Sequence, residues 1–451
     1  MNASVRRTRG LSLVELMIAI AMGMVVVGAL LALYLNVTRT NNEMAKMNRQ
    51  IENGRFAIQL LKSDVEHAGF WGAYVPEFDD LTTVAAPLDA PTALPDPCLA
   101  YSAANWTGAH LSNLIGIPVQ ADAGTCALAN RQADTDVLVV RHAMNCVAGV
   151  GNCEADTPGK LYFQSSQCEK EMSGLAQGGS SNTITLDKDA PSPADPQDYV
   201  GLLVRIVDGK GAGQSATITS YVVGTKTATV EPPWDVAEPD NSSVYKFGLG
   251  YVLGTGGHVL SKRDCATSAD KRRFVSNIYY VRDYATTPGD GIPTLVRSTF
   301  DLSGGTLVQQ AAEPLIEGIE GFRVMYGIDS VAKGGATVNY TQPATWVNPY
   351  HKVTPTNRGD GVAEDGYVNA SGVVCNGATD GTLPDRCPAA NVVAAQIFVL
   401  ARSLEPTRGY TDTKTYQLGD LSVGPFNDGF KRHVFSTTVR LVNPAGRRDT
   451  P

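Results

Sequence analysis

Arg6-Arg7-Thr8-Arg9-Gly10-Leu11-Ser12-Leu13-Val14-Glu15-Leu16 leads into the chain's one long apolar run, and the reading of that run decides the fold. Residues 16–35 are twenty in succession without a charge. At 1.5 Å rise per residue they span about 30 Å as a helix, the hydrocarbon thickness of a bilayer. Arginines on one side and few charges on the other orient the segment with its N-terminus in the cytoplasm. A secretory signal peptide fits less well, because the run is too long for an h-region. The continuation Leu35-Asn36-Val37-Thr38-Arg39-Thr40 also offers no small-x-small cleavage site. Just ahead of the run, Glu15 is the one charged group between Arg9 and Arg39. A carboxylate in a membrane span costs up to about 3 kcal/mol at the bilayer centre, so such groups usually have a partner. A cut after Gly10 would make Leu11 the new N-terminus and Glu15 its fifth residue. The Leu11 ammonium of one subunit is then a fitting partner for the Glu15 of its neighbour, strongly attracted in a low-dielectric helix bundle.

This junction resembles the class III signal of type IV prepilins and pseudopilins: a basic leader, Gly10, Glu15 five residues later and an uninterrupted span. The resemblance implies that a membrane peptidase cuts after Gly10, methylates Leu11 and leaves the helix in place. One departure is the absence of proline from the span, so the helix need not kink there.

Beyond the span, Val37, Met44, Met47, Ile51, Gly54, Ile58, Leu61 and Val65 recur at three- and four-residue steps, with charges between them. They predict an amphipathic continuation over 36–69, one stripe of which lies along a globular head. Residues 11–68 as one helix measure about 87 Å, with Gly69 as the stop. Gly54 in that stripe points to the close approach of another backbone, or to simple tolerance of glycine.

From Trp71 onward short strands alternate with Gly, Pro, Asn and Asp. Strands are expected at 136–141, 274–284, 319–326, 392–403 and 434–442, with an inserted β-meander at 199–233. Stretches 76–97, 172–198 and 341–390 read as loops or insertions. Several segments resemble the PilW family of minor pilins: Glu52-Asn-Gly-Arg-Phe-Ala57 with Ala68-Gly-Phe-Trp-Gly72, the strand from Pro314 to Asp329, and the two closing strands 392–403 and 432–443. The meander and the cysteine-bearing stretch 347–390 depart from that pattern.

The formal charge is −8, and removing the leader arginines leaves −11 on the remainder. An acidic body repels phosphate backbones, which argues against nucleic acid as a partner. Eight cysteines (Cys98, Cys126, Cys146, Cys153, Cys168, Cys265, Cys375 and Cys387) form no C-x-x-C pair, and no histidine is placed in sequence so as to suggest a zinc module with them. They read as disulfides made in an oxidising compartment. Of the 105 pairings eight cysteines allow, Cys146–Cys153 and Cys375–Cys387 close the shortest loops. Gly209-Lys-Gly-Ala-Gly213 has the spacing of neither phosphate loop and joins two strand-like segments, so it reads as a hairpin turn. There is no G-x-S-x-G or H-E-x-x-H, and the six histidines are scattered. Asp360, Glu364 and Asp365 gather oxygen ligands among glycines without EF-hand spacing, so calcium is disfavoured and no cofactor is expected.

The expected fold is α+β, a long N-terminal pilin helix packed on a β-rich head with inserted strands and loops. The expected organisation is a leader at 1–10, a transmembrane and filament-core helix at 11–35, its continuation at 36–69, and a periplasmic head at 70–451. The resemblance implies a non-enzymatic minor pilin that helps start pilus assembly at or near the tip. Its partners would be prepilin peptidase, the inner membrane, other minor and major pilins through the helix, and a large tip adhesin. A type II secretion pseudopilin of the GspJ kind and a helix-anchored adhesive module are the competing readings.

Overall fold

The computed structural model describes residues 12–76, 91–102, 104–122, 126–168, 173–190, 199–200, 202–212, 214–247, 250–338, 345–348, 353–364, 366–375 and 387–448. Helix α1 (Leu13–His67) runs unbroken for 55 residues, about 82 Å at the standard rise. Proline is absent from it, so every turn keeps its hydrogen bond. Gly69 (φ +74°) ends it, because the left-handed conformation turns the chain away at no Cβ cost. The Gly69 N–H then donates to the Arg141 carbonyl at 3.0 Å, tying the helix end to the head. Residues 13–37 are exposed almost throughout, and α1 alone among the described helices is long and apolar enough to cross a membrane.

The second part of α1 lies against a three-stranded antiparallel sheet made by Ile319–Ile328, Val392–Arg402 and Arg432–Arg440, in that order. Gln50, Gly54, Ala57, Leu61 and Val65 are its buried residues, at helical spacing. Ala57, Leu61 and Val65 join Phe322, Val324, Ile397, Val399 and Val439 in the main core. Gln50 Nε2 donates to the Ala401 and Lys431 carbonyls (2.7 and 3.1 Å). Asn443 Nδ2 donates to the Ala68 carbonyl at 3.0 Å. Strand 432–440 therefore runs alongside α1 in the same direction.

This seating corrects the expected stripe. Val37, Met44 and Met47 are exposed, and Ile51 and Ile58 are only half-buried, while Gln50 and Ala57 take core positions. The apolar face of α1 is wider than the strip the head covers. Head contact begins only where Glu43 meets Lys431 (3.1 Å) and the Thr407 hydroxyl (2.7 Å). The approach at Gly54 is to a side chain rather than a backbone: a Cβ there would run into the Phe435 ring.

A mixed-length eight-stranded sheet forms the flank of the head, centred on Leu138–Ala143, Lys271–Arg282 and Thr294–Ser303. Trp71, Trp106, Phe163 and Phe274 fill one side of it, under helix α2 (Gly108–Gly116). Two of its strands, Tyr162–Ser165 and Tyr251–Gly254, pair antiparallel with each other.

The chain between those two strands leaves the sheet and builds a second β structure, with seven strands from Ser173–Leu175 to Val244–Phe247. The meander strands Leu203–Asp208, Ser215–Val222 and Thr227–Glu231 are its centre. Region 172–198 is not simply a loop, for it contributes strands 173–175, 178–180 and 183–185. These are Gly-, Ser- and Thr-rich and too short to show alternation. The first and last strands of the path, 173–175 and 178–180, are successive pieces of one stretch. Ala176 N–H still donates to Ser243 and Gln177 N–H to Thr185. The sheet thus closes into a small barrel, around Ile184, Val204, Ile206, Ile218, Val230, Trp234 and Tyr245.

The cysteines pair as Cys98–Cys126, Cys146–Cys153, Cys168–Cys265 and Cys375–Cys387. Cys168–Cys265 ties the chain leaving for the barrel to the segment that follows strand 251–254.

Candidate functional site

The first turn of α1 is built around Glu15. Ser12 is the N-cap: its hydroxyl accepts from the Glu15 N–H at 3.2 Å, and Glu15 Oε2 accepts from the Ser12 N–H at 2.9 Å. This reciprocal capping box satisfies two amide donors that a helix start otherwise leaves open. It also aims the carboxylate back toward the N-terminus of its own chain. Gly10 and Leu11 lie outside the described residues. The Ser12-x-x-Glu15 spacing is a readable capping signature in the sequence, and Ser12 is the residue that sequence reasoning passed over.

Around this turn the helix presents Leu13, Val14, Leu16, Met17 and Ile18, each about half exposed or more. An exposed apolar cylinder of this length is stable only in lipid or against other helices.

The seat of α1 on the head is held by a polar node as well as by the core. Asp64 Oδ1 lies 3.1 Å from His142 Nε2, and Oδ2 accepts from Asn277 Nδ2 and the Tyr279 hydroxyl, both at 2.9 Å. Burial pushes the Asp64 carboxyl up, but the bonds from His142, Asn277 and Tyr279 outweigh it and hold the group below its ordinary value. His142 Nδ1 faces the Ala143 carbonyl at 2.9 Å, so both ring nitrogens meet acceptors. Sequence reading had no access to this node, since its four residues are spread over more than two hundred positions. A second network fixes the start of strand 432–440. There the Arg432 guanidinium bonds Glu320 (2.6 Å), Asp412 (2.9 Å) and Asp428 (2.6 Å) and stacks 3.7 Å over Phe426.

The acidic stretch considered for calcium is brought together with a residue from elsewhere. Carboxylate oxygens of Asp329, Asp360 and Glu364 lie within 4.8 Å of one another. Those of Asp329 accept from the Asp360 and Gly361 amides (3.1 and 2.7 Å) and from Arg448 (2.9 Å). Those of Glu364 accept from the Ser330 and Val331 amides (2.6 and 3.0 Å). Protein N–H donors and an arginine thus already serve the oxygens a cation would need. Asp365 is outside the described residues. Gly209 to Ala212 form the expected turn between strands 203–208 and 215–222.

Comparison with known proteins meets this geometry at both ends of the chain. Residues 5–31 match the prokaryotic N-terminal methylation motif, and residues 278–443 match the family described as type IV pilus-assembly protein W. The latter range contains the three strands on which α1 is seated. A type IV-like pilin from Thermus thermophilus is 17% identical, over 41% of this chain and 71% of that one, with a TM-score of 0.19. A likeness that faint carries no weight beside the family matches. No curated protein matches the chain. An apolar N-terminal helix with a methylation motif, seated on a β-rich head, defines a type IV pilin-like protein, anchored in the inner membrane before assembly into a pilus. Within that class, the seat of α1 falls in the part of the chain, 278–443, that is similar to the family of type IV pilus-assembly protein W.

Proposed function

We propose that this minor pilin is cut between Gly10 and Leu11, methylated at Leu11, and assembled through Glu15. Its head then faces the periplasm, near the pilus tip, with other minor pilins, major pilin and a large adhesin as neighbours. The role is structural, with no catalytic step and no cofactor. The observation that carries the reading is Glu15, the one charged group in an otherwise apolar and uncovered stretch of α1. In a lone subunit the capping box gives this carboxylate an intrachain donor, and it lies near enough to the span's end to snorkel. In a filament the helices bundle away from water, and the Leu11 ammonium of an adjacent processed chain becomes its charge partner.

Mass spectrometry of the mature N-terminal peptide tests the first step. It should begin at N-methylated Leu11, Gly10→Val should block conversion, and a mature chain starting beyond residue 35 would sink the reading. Glu15→Leu tests the second. Losing one member of a buried charge pair costs about 3–5 kcal/mol, so expression, cleavage and membrane location should persist while incorporation into sheared pili falls. Wild-type incorporation of Glu15→Leu would mean that the carboxylate is not the assembly contact.

A further inference from the structure

Where α1 leaves the head, the charge balance turns positive. Glu43 lies 3.1 Å from Lys431 and 3.6 Å from Lys46, while Lys46 lies 3.2 Å from Glu405 and donates to the Pro406 carbonyl at 3.3 Å. Two lysines thus match the two carboxylates of this clasp. Arg39 and Arg408 are left over, both exposed and without an acid partner among the described residues. The chain as a whole is acidic, at −8, so the surplus at this end runs against the rest of the molecule.

Both arginines are held in place. Tyr410 N–H donates to the Thr407 carbonyl at 3.1 Å. That bond closes a β-turn with Arg408 at its first central position and Gly409 (φ +78°) at its second. Thr407 anchors the turn, its N–H donating to Gly429 O and its hydroxyl to Glu43, each at 2.7 Å. Arg408 therefore stands at the tip of a fixed loop. Arg39 precedes Glu43 by four residues and so lies on the same face of α1, one turn nearer the N-terminus.

The helix sets the distance of this end from the bilayer. The charge-free run stops at Leu35, beside Tyr34, an exposed aromatic of the type that marks a membrane–water interface. Arg39 lies about 6 Å beyond Leu35 and Glu43 about 12 Å beyond it. Headgroups occupy about 5–8 Å outside the hydrocarbon, so Arg39 is among them. The turn beside Glu43 is then about 4–7 Å above them, inside the Debye length of about 8 Å. A tilt of about 20° toward the clasp, ordinary for a membrane span, closes that gap.

We propose that Arg39 and the turn 407–410 form a basic foot that rests on anionic phospholipid headgroups of the membrane that α1 enters, and holds the head at a set tilt until the subunit is drawn into a filament. Anchoring by α1 is the part of the pilin reading on which this rests. The ligand is the phosphate diester of the lipid, to which each guanidinium offers paired N–H donors.

The test places the full-length chain in nanodiscs of phosphatidylcholine and phosphatidylglycerol in equal parts. One preparation carries a trace of phosphatidylglycerol with a photoreactive diazirine in its headgroup, the other the same trace of phosphatidylcholine so modified, and labelled residues are mapped by mass spectrometry. Residues 404–411 should label at least fivefold more strongly with the phosphatidylglycerol probe. Arg39→Gln with Arg408→Gln should remove that excess while the protein stays in the discs. Sodium chloride at about 1 M, where the Debye length shrinks to about 3 Å, should remove it too. Equal labelling by the two probes, an excess that survives the double substitution, or labels confined to 36–42 would overturn the proposal. Loss of the excess to sodium phosphate, but not to chloride of the same ionic strength, would also overturn it, as the mark of a site for free phosphate. A chain that does not enter the discs at all would instead break the anchoring reading, and this one with it.

Discussion

The barrel at 173–247 packs Ile184, Ile218, Val230 and Trp234 against one another and closes its sheet on itself, while the sheet of 319–328, 392–402 and 432–440 uses α1 as its second layer. The barrel's two connections to the flank strands leave and return side by side, and Cys168–Cys265 ties the outgoing one to the segment that follows strand 251–254. The contrast teaches where assembly and accessory roles divide. Whatever holds the helix also holds the pilin head, and the barrel stands outside that arrangement. Different cooperative units should follow from different cores.

The largest expected effects test this directly. Leu61→Ala and Ile218→Ala each remove a fully buried aliphatic side chain and should each cost about 2–5 kcal/mol. Hydrogen exchange should show the first loss in α1 and strands 392–402 and 432–440, with the barrel amides unchanged, and the second confined to the barrel. Spread of either loss into the other unit would break the comparison.

Next comes the Asp64 node. Asp64→Ala strands His142, Asn277 and Tyr279 and should cost about 1.5–3 kcal/mol, the range for bonds to a charged group, all of it at the helix seat. The pH dependence has a definite sign. A carboxyl held below its ordinary value of 3.8 in the folded protein contributes stability above that value, lost as pH falls through the folded one. Acidification below about pH 4 should therefore loosen α1 in the parent, and the trend should flatten in Asp64→Ala. Exchange rates of the 50–67 amides against pH provide the measurement.

Gly54→Val should cost about 1–3 kcal/mol through overpacking against Phe435, and Phe435→Ala should restore part of it. Additive losses in the double variant would mean the two residues do not meet.

Much of the helix is legible in the sequence because its signals are local: a charge-free run, a basic leader, 3.6-residue spacing and a glycine stop. The anchor reading of Glu15 follows from the same locality. Apolar periodicity sets the stripe one step too far round, because it records every face that avoids water, including the flank of Ile51 and Ile58 that the head covers only in part. Gln50 is buried for its carbonyl partners, which hydrophobic counting does not see. The barrel exceeded the meander at 199–233 because strands such as Gly178–Ser180 are held by neighbours rather than by side-chain pattern. The Asp64 node depends on contacts between distant segments, which spacing along the chain does not encode.

The parallel course of strand 432–440 and α1, from Gln50 beside Lys431 to Ala68 beside Asn443, has a mechanical consequence. Ladder bonds in an antiparallel pair lie across the strands. A pull along the helix, as when a filament is drawn taut or retracted, meets the pairing of 392–402 with 432–440 broadside. The bonds then share the load in shear instead of parting one at a time, and the head resists tension along the one axis on which a pilus delivers it.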